Sequence, residues 1–173
     1  MAQPTPDETL LGILMARPQH GYQLLDIFQD LQQLGQVWKL STSQLYAVLK
    51  RLETQRFIIG EEKNSPDAPP RMVYQVTELG KQQVMEWLNQ PRPSPSVRRV
   101  RVEFLSRLFV AGKLNMSLRV IIQRQKQACR RELASLLDQR RESSVGVAHL
   151  SLELNIVQLK GILHWIDRYV VTQ

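Results

Sequence analysis

Apolar residues in the first half of the chain recur every three or four positions, which is the spacing of one face of an α-helix. The pattern predicts four helices, over residues 5–17, 20–35, 41–55 and 77–91. Their ends carry suitable residues, because Thr5, Ser41 and Thr77 can cap a helix start and Gly35 can close a helix end. The first half of the chain is therefore expected to be mainly helical.

Two short segments between the third and fourth helices are rich in β-branched and aromatic residues. They cover residues 57–60 and 71–76, and a proline-containing, turn-rich stretch separates them. This predicts a β-hairpin with a long tip. The order helix, helix, turn, helix, hairpin, helix is that of a winged helix-turn-helix domain, whose helix after the turn enters the major groove of DNA.

Residues 91–96 alternate proline with polar residues, which predicts an extended linker. We therefore divide the chain into a winged helix-turn-helix domain over residues 1–90, the linker, and a helical domain over residues 97–173. Helical patterns cover residues 97–111, 117–141 and 147–171, and the last is apolar on nearly every side. Such a helix needs cover all round, so it predicts a dimer interface. The predicted interface residues are Phe104, Leu108, Leu154, Val157, Leu163, Ile166, Tyr169 and Val170.

The third helix offers a polar face for DNA. Short polar groups lie near its start, where base edges come within reach, and cations lie further along, where they suit phosphates. We expect Ser43 and Gln44 to contact bases, and Tyr46, Lys50 and Arg51 to contact phosphates. The full predicted DNA-binding set is Ser43, Gln44, Tyr46, Ala47, Lys50, Arg51 and, on the hairpin, Lys63 and Arg71. The alternative is an ordinary solvated helix face.

The formal net charge of +7 and the pI of 9.9 suit a nucleic-acid partner. The distribution of charge complicates this interpretation. Residues 1–93 carry 9 basic and 10 acidic side chains, whereas residues 94–173 carry 14 and 6. A winged domain that binds another protein and no DNA therefore stays open as an alternative. The basic side chains of the second half are expected to be solvated or to add phosphate contacts beside the wing, and the alternative is that they bind an anionic effector or an acidic protein partner. The candidate effector contacts are Trp87, Arg98, Arg101 and Trp165.

Several other classes of protein do not fit the sequence. Cys129 is the only cysteine, so no disulfide forms within the chain and a reducing cytoplasm is expected. The start lacks the features of a signal peptide, and no apolar run is long enough to span a membrane. No nucleophile, base and orienting group occur as a set, and His20 is expected to bond at a helix end. We expect no catalysis, no metal and no cofactor.

Five ordered blocks of the sequence resemble the PadR family of transcriptional regulators over about residues 9–90. They read LGIL, PQHGYQL, LSTSQLY, LKRLE and YQVTELG. Residues 97–109 resemble the start of the longer C-terminal domain found in one branch of the family. The resemblance implies a dimeric, repressor-like DNA-binding protein whose C-terminal helices supply the dimer contacts and often respond to an effector. Ala47 departs from the proline that many relatives place there, so a more regular recognition helix and a different operator are expected.

Overall fold

The computed structural model of the chain describes residues 4–65 and 68–170. The described chain is mostly helical and has one small antiparallel sheet, as predicted. The first helices and strands are α1 (Asp7–Ala16), β1 (Gln19–His20), α2 (Gly21–Gln29), α3 (Thr42–Thr54), β2 (Ile58–Ser65), β3 (Ala68–Val76) and α4 (Glu78–Leu88). They are followed by α5 (Val97–Arg99), α6 (Leu105–Lys113), α7 (Arg119–Glu142) and α8 (Val147–Trp165), with π-helical segments at Val100–Phe104 and Ile166–Val170. Within residues 4–65 and 68–170, no helix combines the length and the hydropathy of a membrane-spanning segment.

The chain folds into two compact units. The first unit contains the residues up to Asn89 together with Leu105–Ser117, and the second contains Gln90–Phe104 and the residues from Leu118 onwards. Helix α6, which we had placed in the C-terminal domain, therefore packs in the first unit. Two contacts hold it there: the Trp38 indole N–H donates to the Ser106 hydroxyl at 2.8 Å, and Val110 packs against α1. The spacing of apolar residues along α6 shows which side of the helix is buried, but it does not show which helices that side packs against.

The sheet has the strand order β1-β3-β2, with all neighbours antiparallel. β2 and β3 are longer than the predicted strands, because pairing continues as far as Ser65 opposite Ala68. The prediction of a long loop at the tip is thus wrong. The prolines of this stretch suggested a loop, yet two of them lie in β3. They come before Val73 and Tyr74, where β3 pairs with β1, so among the described residues β3 has a neighbouring strand on only one side at the prolines. Pro66 and Asp67 lie outside the described residues.

Helix α2 is shorter than predicted. It ends at Gln29, and Asp30 is extended, with φ −68° and ψ 117°. The Asp30 carboxylate accepts hydrogen bonds from the Gln33 side chain at 2.9 Å and the Gln32 N–H at 2.8 Å, and these bonds lower the pKa of Asp30. Leu34 is buried, but it reaches the core from a turn. The local bonds of Asp30 therefore compete with the helix that the apolar spacing predicted.

The helix starts differ in how closely they follow the sequence. α1 begins at Asp7, and its N-cap Pro6 makes no side-chain capping bond, so the predicted cap at Thr5 is wrong by one position. His20 caps α2: its Nδ1 accepts from the Gln23 N–H at 3.4 Å, and the Gln23 side chain accepts from the His20 N–H at 3.2 Å. The expected role of His20 as a hydrogen-bonding residue at a helix end is confirmed.

The second unit is built around α7 and α8. Phe104 is fully buried and meets the edge of Trp165, with ring centroids 6.3 Å apart and planes at 87°. Gln125 is also buried, and its side-chain amide donates to the Ser94 carbonyl at 2.9 Å. Residues 91–96, which we expected to lie outside both cores, thus contribute a buried Pro93 and a hydrogen-bond acceptor to this unit. The functional domain boundaries stay a prediction.

Cys129 lies in this core with no exposed surface. Burial raises the pKa of its thiol, although the Gln125 amide lies 3.6 Å from the sulfur and lowers it in part. The thiol is therefore protonated at neutral pH and shielded from reagents. We expect the folded protein to react very slowly with a disulfide reagent such as dithionitrobenzoate and the denatured protein to release one equivalent at once. Rapid reaction of the folded protein would contradict this burial.

Candidate nucleic-acid interface

Helix α3 begins with a capping box. The Ser41 hydroxyl accepts from the Gln44 N–H at 3.2 Å, and the Gln44 side-chain oxygen accepts from the Ser41 N–H at 2.9 Å. The inner face of the helix is fully buried, as predicted, and consists of Leu45, Val48, Leu49 and Leu52. Because the cap fixes where the helix begins and the inner face fixes its rotation, the outward direction of every other side chain is set.

The outward side of α3 is exposed along its length. Ser43, Gln44, Ala47 and Lys50 are all exposed, and Lys50 makes no ion pair within the described residues. The Ser43 hydroxyl lies 3.0 Å from the Ser41 hydroxyl. Gln44 has a second role that periodicity did not show, since its oxygen holds the cap. Truncating Gln44 would therefore disturb the helix start together with any base contact, which makes Ser43 the cleaner probe of base reading.

Tyr46 contacts the start of α2. The phenol lies over Gly21, where an added methyl carbon would come within 2.5 Å of the Tyr46 oxygen. Gly21 is thus required for the close approach of the two helices. Its neighbour Tyr22 is 65% exposed, an unusual position for a large aromatic side chain. Tyr22 was not among the DNA-binding residues predicted from the sequence. Its position directly after the capping residue His20 and Gly21 could have indicated that it lies on the surface at the start of α2.

Arg51 is engaged within the chain. Its guanidinium donates to both carboxylate oxygens of Asp7, with the Nε contact at 3.0 Å and the Nη2 contact at 2.6 Å. The hydrogen bond with Asp7 raises the pKa of Arg51. This ion pair joins the recognition helix to α1. Of the two adjacent cations expected to bind phosphate, Lys50 is therefore the one whose charge is not already neutralised by a described carboxylate.

The hairpin brings its two predicted cations together. Lys63 on β2 lies directly opposite Arg71 on β3, and both are exposed. Strand alternation places Glu61 on the same face as Lys63. The Glu61 carboxylate accepts from the Gln75 side chain at 3.0 Å, so it is held near the base of the hairpin. The positive charge is concentrated toward the far end of the described strands.

The predicted dimer residues fall into different environments. Phe104, Ile166 and Val170 are buried in the core of their own unit, and Leu108 and Leu163 are half-buried. Leu154 and Val157 on α8 are 59% and 63% exposed. The side chain of Tyr169 lies outside the described residues. Only part of the predicted set is thus available to a second subunit in this conformation.

The candidate effector residues do not form one cluster within a unit. Trp87 belongs to the first unit, where the Arg107 guanidinium lies 5.4 Å from its ring centroid. Trp165 belongs to the second unit and packs on Phe104. Arg98 and Arg101 are exposed near the start of the second unit's first helical segments. Among the described residues, no group of three His, Cys, Asp or Glu side chains could hold a metal ion.

Comparison with known proteins finds a family model that matches part of the first unit. Residues 10–86 match the model of the transcriptional regulator PadR-like family. The chain carries a PadR-like domain. It is 30% identical over 106 residues to the negative transcriptional regulator PadR of Bacillus subtilis, an alignment that covers 61% of this chain and 56% of that protein. The chain therefore matches only about half the length of this curated relative.

Two solved structures are similar to this chain. The crystal structure of Bacillus subtilis PadR in complex with operator DNA superposes with a TM-score of 0.50 at 20% identity and covers all of both chains. The same protein in complex with p-coumaric acid gives a TM-score of 0.45 at 22% identity, over 96% of this chain and 97% of that one. The first of these likenesses supports a shared PadR fold.

Proposed function

We propose that this chain represses transcription as a homodimer by placing the exposed face of α3 in the major groove of an operator. The observation that carries the proposal is the capped, rotationally fixed recognition helix, whose outward side offers Ser43, Ala47 and Lys50 to solvent. A PadR-like domain over residues 10–86 supports it. In winged helix-turn-helix proteins a helix in this position reads base edges while flanking cations bind phosphates.

The roles of the individual side chains follow from their surroundings. Ser43 lies at the helix start and is proposed to contact bases, whereas Lys50 is proposed to bind phosphate. Tyr46 lies over Gly21 and is partly exposed, and Tyr22 follows Gly21 directly and is exposed, so both phenols are proposed as further phosphate contacts. Lys63 and Arg71 are proposed to bind the backbone beside the groove.

The proposed dimer uses the exposed side of α8. Its exposed apolar residues recur at spacings of three and four, and they are Val147, Leu150, Leu154 and Val157. This is the spacing of a seam between two paired helices. A contiguous apolar stripe of this kind marks a surface for a protein partner. A second copy of the chain would pair the two recognition helices about 34 Å apart, over a near-palindromic operator.

Replacing Lys50 with alanine tests the DNA-binding surface. Operator affinity should fall for every sequence, and the slope of log affinity against log salt should decrease by about one unit, because one phosphate contact is lost. Arg51→Ala should change the slope less, since Asp7 already neutralises that guanidinium. Fluorescence anisotropy with fragments from the region upstream of the chain's own gene measures both.

The same titrations decide between the proposed function and its alternative. Wild-type protein should bind one upstream fragment more tightly than a shuffled fragment of equal length. A winged domain that serves only as a protein-interaction module would bind both fragments equally weakly and would show no effect of Lys50→Ala.

A further inference from the structure

The first turn of the recognition helix, residues 41–44, lies on the surface. All four residues are exposed, and the first side chain of α3 that reaches the core is Leu45. The capping box holds the turn together, but both of its hydrogen bonds lie within the turn. Ser43, the proposed base contact, belongs to this turn. The position of Ser43 relative to the rest of the unit therefore depends on Leu45 and on the residues that precede the turn.

Trp38 anchors the segment in front of this turn. Its backbone N–H donates to the Leu34 carbonyl at 2.8 Å, and its indole N–H donates to the Ser106 hydroxyl, also at 2.8 Å. Only two residues separate Trp38 from the N-cap Ser41, and neither belongs to a helix or a strand. Because so short a connection spans at most ~11 Å, the position of the indole limits the position of the cap.

Ser106 gives the indole a partner whose own position is fixed. The residue is fully buried on α6, and other contacts hold α6 to two helices of the same unit. Val110 packs so closely on α1 that a methyl carbon added to Gly12 would overlap it. The Arg107 guanidinium lies 5.4 Å from the ring centroid of Trp87 on α4. The Ser106 hydroxyl therefore belongs to a helix that the core of the unit keeps in place.

We propose that Ser106 is a positioning residue for base recognition. Through the indole of Trp38, its hydroxyl fixes the first turn of α3 and with it the hydroxyl of Ser43. Hydrogen bonds to base edges need heavy-atom distances of ~2.7–3.2 Å, so a displacement of the turn by ~1 Å weakens them. A phosphate contact by a long, flexible side chain such as Lys50 tolerates this displacement. The inference rests on the proposed function and adds to it a residue that is too buried to touch DNA.

The test removes either end of the hydrogen bond. Ser106→Ala deletes the acceptor, and Trp38→Phe deletes the donor but keeps an aromatic ring. Fluorescence anisotropy gives the affinity of each variant for the upstream fragment that the wild type prefers and for a shuffled fragment of equal length. We expect the ratio of the two affinities to fall by about 5- to 10-fold in each variant. The double variant should show the same fall, because both substitutions break one bond.

A core substitution elsewhere in the unit separates positioning from stability. Val84 is fully buried on α4, which packs against α1 and β3. Val84→Ala should lower the melting temperature but leave the affinity ratio unchanged, because loss of folded protein lowers both affinities equally. An unchanged ratio in Ser106→Ala or Trp38→Phe would overturn the inference, whatever the melting temperature. If one of these two variants does not fold, the other removes the same bond.

Amide hydrogen exchange tests the same contact without DNA. The Gln44 and Leu45 N–H groups donate to the hydroxyl and the carbonyl of Ser41. Relative to the amide of Leu49 in the middle of α3, both should exchange about 5- to 10-fold faster in Ser106→Ala and at the wild-type rate in the core control. Faster exchange in this variant, beside a wild type that binds both fragments equally, would refute the proposed function alone. A wild type that prefers the upstream fragment, beside unchanged exchange and an unchanged ratio in the variants, would refute the positioning role alone.

Discussion

Leu154→Glu is expected to leave the chain folded and to abolish operator binding at concentrations where the wild type is saturated. Leu154 is 59% exposed at the centre of the apolar stripe on α8, so a carboxylate there costs the isolated subunit little. In a paired seam the same carboxylates would be buried against apolar side chains without partners. A monomer can contact only one half of the operator, and binding both halves through one dimer contributes ~10²- to 10⁴-fold to operator affinity.

A matched control comes from the neighbouring residue. Asn155 is also exposed on α8, but it lies on a different side of the helix from the stripe. Asn155→Glu introduces the same charge and should preserve both the dimer and operator binding. Sedimentation equilibrium gives the mass of each variant, and anisotropy gives its affinity. A Leu154→Glu protein that stayed dimeric would exclude this stripe as the interface.

Gly80→Ala is expected to destabilise the first unit by about 1–3 kcal/mol, as for other cases of overpacking. An added methyl carbon would come within 2.3 Å of the Phe57 carbonyl oxygen and 2.6 Å of Val76. The carbonyl is backbone, and it also accepts hydrogen bonds from the Thr77 N–H and hydroxyl at 2.9 and 3.1 Å. Making room therefore requires the base of the hairpin to move away from α4.

Gly112→Ala is the control for this substitution. Gly112 lies in α6 with open space around its added carbon, so alanine should be neutral or stabilising by about 0.5–1 kcal/mol through helix propensity. Thermal unfolding of the two variants under identical conditions checks the contrast. Equal melting temperatures would show that the contact between Gly80 and Phe57 can relax at no cost.

The recognition helix was predictable because its determinants are local. The capping box at Ser41 and Gln44 and the apolar repeat of α3 lie within fourteen consecutive residues, and the structure confirms both. The predicted end of α2 was wrong for a different local reason. The Asp30 carboxylate accepts hydrogen bonds from residues of the following turn, although the apolar spacing of a helix continues there. The predicted length of the hairpin strands was wrong because the prolines suggested a loop in a stretch where the strands still pair.

Contacts between distant residues could not be predicted at all. Arg51 and Asp7 are 44 positions apart, and Trp38 and Ser106 are 68 apart, so no periodicity relates them. These contacts decide which cation on α3 retains its charge and which unit holds α6.

Methylation protection on the operator shows whether α3 lies in the major groove, because dimethyl sulfate reports on guanine N7 in that groove. With a fragment from upstream of the chain's own gene, we expect two protected clusters of guanines, separated by about one helical turn and symmetric about their midpoint. Lys50→Ala should weaken both clusters together, and Leu154→Glu should remove them. Binding of the fragment without any protection of guanine N7 would contradict the placement of α3 in the major groove.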